Sequence, residues 1–368
     1  MLNNWCPEVY RSVFIDRQND DRIRVAPCCN AEYREEAVDT FNFHTSPYLN
    51  ELRNQFDQGQ RPDACRRCWH AEELGQKSRR QSAIEFFEIN DSNTTVRLES
   101  IDHSATWACN LACVMCGPQL SSTWAKELEL SSNDLVDMGR RFQKSNNFLE
   151  HLDLTYIKKV HFNGGEPLLN NDQTELLKRL DQEGVLGNVF ISYNTNGTVW
   201  PTDQVIDLWS RARLVKLFFS IDATGDGYEY VRYPGKWEEV YQNIQRMKEQ
   251  LPSNVMFGFN IAVGAYNVFE IMDVWSWFDR HLQTNREGDP SDFCWQLVYN
   301  FDIKNLNLEA KEHAIIELSH SDKFQGIVDY LKSTINYKHS DDWTIKLDEI
   351  DQRRQTDWRQ TMRVGKYY

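Results

Sequence analysis

Cys109, Cys113 and Cys116 stand within eight residues in the run W-A-C-N-L-A-C-V-M-C-G-P, Trp107 to Pro118. Thiolates ligate soft metals and iron–sulfur clusters. A closed tetrahedral site takes four of them, so three in one loop either find a fourth elsewhere or leave a position open, as catalytic zinc sites do. The C-x3-C-x2-C spacing lets one loop wrap three corners of a cubane while the fourth iron points outward. A 4Fe–4S cluster normally takes four thiolates, so an incomplete set frees one iron for an exogenous ligand. Gly117-Pro118 then turns the chain away.

Five of the nine cysteines lie earlier: Cys6 in W-C-P-E, Cys28 and Cys29 in A-P-C-C-N, and Cys65 and Cys68 in D-A-C-R-R-C-W. With one member of the adjacent pair they supply four thiolates, a closed site. Paired C-x2-C elements mark many zinc sites, so structural zinc and a fully ligated cluster both suit the spacing. Adjacent side chains diverge, so Cys28 is the expected ligand, with Cys29 packing or serving as a nearby thiol. Cys294 stands alone, followed by Trp295. It is a candidate hydrogen-atom donor, against the plainer reading of a buried apolar cysteine.

These residues need a scaffold, and 368 residues with 40% hydrophobic content allow a large domain and a smaller one. The formal charge of −14 argues against general binding to nucleic acid or anionic membranes. The one dense basic stretch, Arg66 to Gln81, reads as a solvated helix face. No apolar run approaches the ~20 residues of a membrane span. The start, M-L-N-N-W-C-P-E, lacks the features of a signal peptide. A cytoplasmic location follows as the expectation, and there clustered cysteines read as metal ligands.

In the first region, Ser12 to Ile15 and Arg22 to Ala26 flank the turn-rich Gln18–Asp21, a hairpin pattern. S-P-Y-L-N-E-L-R-N-Q-F predicts a helix, with Ser46 as cap and Pro47 in the first turn. Glu88 to Thr95 reads as a linker. Strand, turn and helix then repeat, with strands expected at Val96–Ile101, Ile157–Phe162, Val189–Tyr193, Leu214–Ile221, Met256–Val263 and Phe293–Val298. Six such units imply an α/β fold with a parallel sheet, open or curled into a partial barrel. The loops after its strands would build the site. The expected division is 1–95, 96–304 and a mostly helical extension, 305–368.

C-N-L-A-C-V-M-C resembles the cluster loop of radical S-adenosylmethionine (SAM) enzymes, and the resemblance runs in order from about Val96 to Val298. It implies a partial (β/α)6 TIM-like barrel. H-F-N-G-G-E-P-L-L resembles the family's G-G-E-P motif. There Gly164 and Gly165 admit close backbone approach, and Glu166 accepts hydrogen bonds from the SAM ammonium. Y-N-T-N-G-T, with Asn196, is similar to the T-N-G-T element near the SAM pocket. In F-F-S-I-D-A the resemblance places Ser220 and Asp222 on the ribose, and in Y-V-R-Y-P-G it places Arg232 on the carboxylate. F-N-I-A-V-G-A-Y-N resembles the segment packing on adenine, with Asn260 and Val263 as contacts. The residue before the third cysteine is usually aromatic; here Met115 fills that space by soft apolar contact.

C-P…V-F-I-D…V-A-P-C-C-N resembles the auxiliary-cluster module called twitch, related to the longer SPASM module, here placed before the barrel. It implies an auxiliary 4Fe–4S cluster on Cys6, Cys28, Cys65 and Cys68. The implied activity is reductive cleavage of SAM to a 5′-deoxyadenosyl radical that abstracts hydrogen from a peptide or small-molecule substrate. A nearby auxiliary cluster favours a net oxidation, dehydrogenation or crosslinking. The implied electron donor is a flavodoxin or ferredoxin. The alternatives are a redox-neutral epimerase or isomerase using Cys294, and a zinc-binding interaction module on an inactive barrel.

Overall fold

The strand Lys159–Gly164 alternates between buried Val160 and Phe162 and half-buried His161 and Asn163. That alternation describes a sheet with one apolar face packed on helices and one polar face left partly open. The computed structural model describes residues 4–17, 22–73, 77–87, 95–137, 151–282 and 293–368. Among them run β1 (Ser12–Arg17), β2 (Arg22–Ala26), β3 (Arg34–Ala37), β4 (Ser100–Thr106), β5 (Lys159–Gly164), β6 (Phe190–Thr195), β7 (Leu214–Phe219), β8 (Val255–Val263) and β9 (Phe293–Leu297). They form one open sheet in the order β3-β2-β1-β4-β5-β6-β7-β8-β9. From β4 to β9 every neighbour pair is parallel, a partial barrel of six strands.

The apolar face carries the core. Phe162 stacks on Tyr193 at 4.8 Å, and Tyr193 meets Trp209 edge-on at 5.2 Å. The buried Tyr193 hydroxyl accepts from Trp209 Nε1 at 3.1 Å, so the polar tip is satisfied. Each such side chain contributes roughly 1.5–3 kcal/mol by leaving water.

β1 pairs parallel with β4 and antiparallel with β2, so the sheet continues across the boundary expected at 95/96. β3 extends it further and was not expected; its R-E-E-A sequence carries no apolar alternation. A separate apolar cluster, including Trp5, Tyr10, Tyr48, Leu52, Phe56 and Trp69, lies in the N-terminal part. Ser46 caps the helix Pro47–Asp57, accepting from the Leu49 amide. β4 begins at Ser100 rather than Val96, because Arg97 and Glu99 donate their amides to the Tyr10 and Arg11 carbonyls instead. Gln18–Asp21 and residues 88–94 of the linker lie outside the described residues.

The solvated-face reading of Arg66 to Gln81 fails at the buried Cys68, Trp69 and Ser78 and at two of its arginines. Arg80 is buried and ion-paired to Glu72 at 2.6 Å, and Arg79 turns inward to Glu8 at 2.9 Å. From Leu308 onward the chain is mostly helical. Trp343 and Trp358, both buried and 5.2 Å apart, anchor this extension to the core. Among the described residues no helix is long and apolar enough to cross a membrane.

Candidate active site

The three-cysteine loop follows β4 at the C-terminal end of the parallel strands, where parallel barrels place their chemistry. Its backbone is tied on several sides. Ser122 Oγ accepts from the Cys109 amide, while Ser122 and Thr123 hydroxyls donate to the Cys109 carbonyl. Ser121 Oγ donates to Leu111 O, and Trp124 Nε1 donates to Cys113 O at 2.8 Å. The Ala112 and Val114 amides donate to the Tyr233 and Val231 carbonyls. S-S-T-W therefore caps its own helix, Ser122–Glu127, and fastens the loop as well. Burial pushes the Cys109 thiol up to about 12. A hydrogen bond between the Cys113 and Cys116 thiols, with the Arg232 cation nearby, holds Cys113 below its ordinary value.

After β5, Gly164 adopts φ +119°, a backbone state that favours glycine. A Cβ on Gly165 would lie 2.2 Å from the Ala108 carbonyl oxygen, so only glycine lets this turn rest on the cysteine loop. The contact is sealed by the Glu166 amide donating to Ala108 O at 2.8 Å. Glu166 is fully buried. Its carboxylate accepts from Leu168 N (3.1 Å), Thr195 Oγ1 (2.8 Å) and Asn196 N (2.7 Å). Burial still pushes its pKa up to about 7. The carboxylate retains acceptor capacity and has no ion pair among the described residues, so a ligand ammonium would complete it. Asn196, after β6, donates to Asn110 Oδ1 at 2.9 Å and lies 4.0 Å from Cys109 Sγ.

Asp222 and Arg232, expected on different parts of SAM, hold each other at 2.6 Å. Both are buried, and a buried charge needs a partner. The other Asp222 oxygen accepts from the Ala262 amide at 2.8 Å. Arg232 Nη1 lies 3.8 Å from Cys113 Sγ, and its Nε is buried without a hydrogen-bond partner. Ser220 donates its amide to Thr195 O, and Val263 is fully buried at the end of β8. Asn260 donates to Asn194 Oδ1 at 3.4 Å and so joins the open face of the sheet.

That face carries a row the sequence did not announce. Register places Asp102 beside His161, and His161 beside Ser192. Asn163 donates to Asp102 at 2.5 Å, and His161 Nδ1 bonds Ser192 Oγ at 2.8 Å. Asn194 lies 3.3 Å from His161 Nε2, and Cys294 pairs in register with Asn260. Burial holds His161 below its ordinary pKa, favouring neutral imidazole. Each residue is separated from the next in sequence by an apolar neighbour or a whole helix, which hides the row from motif reading.

In the N-terminal part, Cys6, Cys28, Cys65 and Cys68 line one small pocket with Glu8, Phe56, Trp69 and Arg80. Burial raises all four thiols above their ordinary pKa, Cys65 to about 12. Metal or cluster ligation would remove those protons. Cys29 is exposed, off the cavity wall, and accepts from Arg79 Nη1 at 3.0 Å. Arg79 also binds Glu8 through Nε at 3.0 Å and approaches Asp102 at 3.8 Å, linking this cavity to the open face. Among the described residues no three His, Cys, Asp or Glu side chains converge on a point suited to one metal ion. A cluster does not require that convergence, because its own iron and sulfide hold the thiolates apart.

Residues 104–264 match the family described as Radical SAM superfamily. GTP 3′,8-cyclase of Listeria monocytogenes is 28% identical over 148 residues, which are 40% of this chain and 40% of the relative. The chain thus spans well under half the length of the curated relatives it matches. Among solved structures, native anSMEcpe with bound AdoMet aligns with TM-score 0.41 and 16% identity, covering 60% of this chain and 59% of that one. Streptococcus suis SuiB bound to precursor peptide SuiA aligns with TM-score 0.37 and 12% identity, covering 88% and 70%.

Proposed function

Since the chain belongs to the radical SAM superfamily through residues 104–264, we propose that Cys109, Cys113 and Cys116 hold a SAM-binding 4Fe–4S cluster and that Cys6, Cys28, Cys65 and Cys68 hold an auxiliary one. When bound, SAM and its cluster supply a 5′-deoxyadenosyl radical for hydrogen abstraction, and the auxiliary cluster supplies a one-electron acceptor. The observation that carries the reading is Glu166, a fully buried carboxylate that makes no ion pair among the described residues, resting on the cysteine loop. Glu166 and the Asn196 backbone hold the amino-acid end of SAM. Arg232, steadied by Asp222, meets its carboxylate through the free Nε. Gly164 and Gly165 keep the backbone close enough for this, and Ser220, Asn260 and Val263 flank the nucleoside.

The substrate lies along Asp102, His161, Asn163, Ser192 and Asn194. The amides and hydroxyl of this row both donate and accept, which suits an uncharged amide or hydroxyl group such as a peptide carries. In a net oxidation, neutral His161 would take the proton that the substrate radical releases, and Cys6, Cys28, Cys65 and Cys68 would hold the centre that takes its electron. Arg79, between cavity and row, orders the path. A flavodoxin- or ferredoxin-type donor supplies the initial electron.

The relatives' name favours a second reading with GTP as substrate. A triphosphate asks for cations; on the open face Arg24 is paired with Asp16 and Arg79 with Glu8, so Lys159 and Lys216, on the same face as His161 and Ser192, are the side chains that reading would use. The test is anaerobic reconstitution followed by measurement of 5′-deoxyadenosine from SAM, with and without GTP. Product independent of GTP supports the first reading, and stoichiometric GTP consumption supports the second. Folded, reconstituted protein that forms no 5′-deoxyadenosine contradicts both.

A further inference from the structure

The match to the family ends at residue 264, yet the cysteine loop is gripped by a residue far beyond it. Arg354 ends the helix Asp342–Arg354, and its side chain is only 2% exposed. Its guanidinium binds Glu127 twice, Nε to Oε1 at 3.0 Å and Nη2 to Oε2 at 3.1 Å. Nη2 also donates to the Ala112 carbonyl, inside the cysteine loop, at 2.7 Å. The guanidinium lies over the rings of Trp124, at 4.7 Å, and Tyr233, at 4.5 Å. Both ring residues bond the loop backbone themselves, Trp124 to Cys113 O and the Tyr233 carbonyl to the Ala112 amide. Nη1 is buried and makes no hydrogen bond.

A guanidinium keeps its charge even when buried, and its planar fork makes a set of contacts that lysine cannot copy. Its charge sits one hydrogen bond from the loop backbone, at Ala112 O, next to Cys113 in the chain. Reduction adds one negative charge to a cluster, and a fixed cation in a dry setting stabilises the more negative state. Burial, hydrogen bonds and nearby charge are the protein's levers on cluster potential.

We infer that Arg354 is a positioning residue that fixes the cysteine loop and eases reduction of the cluster there, with Glu127 as the counter-charge limiting the effect. The inference rests on the reading that Cys109, Cys113 and Cys116 hold a cluster. It gives the C-terminal extension a task in the chemistry: it supplies the rear wall of the loop and a cation beside it.

The test is an EPR-monitored redox titration of the anaerobically reconstituted full chain as wild type, Arg354→Met and Glu127→Gln. Arg354→Met lowers the reduced fraction of the loop cluster about tenfold at fixed poise, which is ~59 mV for a one-electron couple. Glu127→Gln shifts it the opposite way, and the N-terminal cluster's signal stays in place in both. Damage to the fold does not produce shifts of opposite sign. If Arg354→Met loses its iron, Glu127→Gln decides: a rise supports the inference, and no change or a fall overturns it. With the loop cluster present, unmoved potentials, or shifts of the same sign, overturn the inference alone. A wild type with no cluster that depends on Cys109, Cys113 and Cys116 overturns the underlying reading and this inference together.

Discussion

Cys109, Cys113 and Cys116 come from one loop, whereas Cys6, Cys28, Cys65 and Cys68 are gathered from segments between residues 6 and 68. The surroundings differ as much as the assembly. Beside the loop lie groups with unused capacity among the described residues: Glu166, which makes no ion pair, and Arg232, whose Nε makes no hydrogen bond. Around the N-terminal cavity the charges are already spent, Arg79 on Glu8 and Arg80 on Glu72, and aromatic rings close the wall. An open set beside unsatisfied polar groups suits an exchangeable ligand. A full set behind paired charges suits a sealed centre that only passes electrons.

The comparison breaks most sharply on cysteine variants. Cys113→Ala is expected to suppress SAM cleavage by at least about 10³-fold while the protein retains about four irons of eight. Cys6→Ala is expected to keep SAM cleavage and lose the other four. Iron analysis with chromatography of 5′-deoxyadenosine reads both, and equal loss of cleavage in the two variants would erase the distinction.

Next comes the adjacent pair. Cys28→Ala is expected to lose about four irons, whereas Cys29→Ala keeps about eight, because only Cys28 faces the cavity. The reverse result would exchange the two residues' roles.

Smaller effects separate two buried carboxylates that burial raises to about the same value. On the proposed reading, Glu166→Gln removes the negative charge that faces the SAM ammonium and is expected to weaken SAM binding about 10–100-fold by equilibrium dialysis, the size of a charge-assisted hydrogen bond. Glu270 is also pushed up to about 7, but it accepts from the Arg363 amide at 2.7 Å and flanks no cysteine. Its folded pKa lies above the ordinary 4.5. Its contribution to stability is therefore fully present below about pH 4.5 and lost as pH rises through about 7. Glu270→Gln is expected to match wild type in urea unfolding at pH 4 and to exceed it by roughly 3 kcal/mol at pH 8. SAM binding is expected to stay unchanged. A change in SAM binding would mean that Glu270, too, serves the ligand.

What was legible follows from the same contrast. The loop, G-G-E-P and the strand ends are contiguous, so spacing exposes them, and the six parallel strands appeared at the expected places within a few residues. β3 escaped because R-E-E-A gives no apolar alternation. Arg79 and Arg80 read as solvated because their partners, Glu8 and Glu72, are set by tertiary packing. Asp222 and Arg232 each stood out in the sequence as candidates, but their mutual pairing did not, since burial of both charges is a property of the folded chain. Arg354 carried no signal, because its contacts at Ala112 and Glu127 lie more than two hundred residues away.

The central claim is that the chain holds two clusters of which one alone accepts SAM. EPR of the dithionite-reduced, reconstituted protein, recorded with and without SAM, tests it directly. The account predicts two overlapping 4Fe–4S signals, of which SAM changes one, and that one is missing from the Cys109/Cys113/Cys116→Ala variant. A single signal indifferent to SAM, or two signals that both survive in the triple variant, would contradict it.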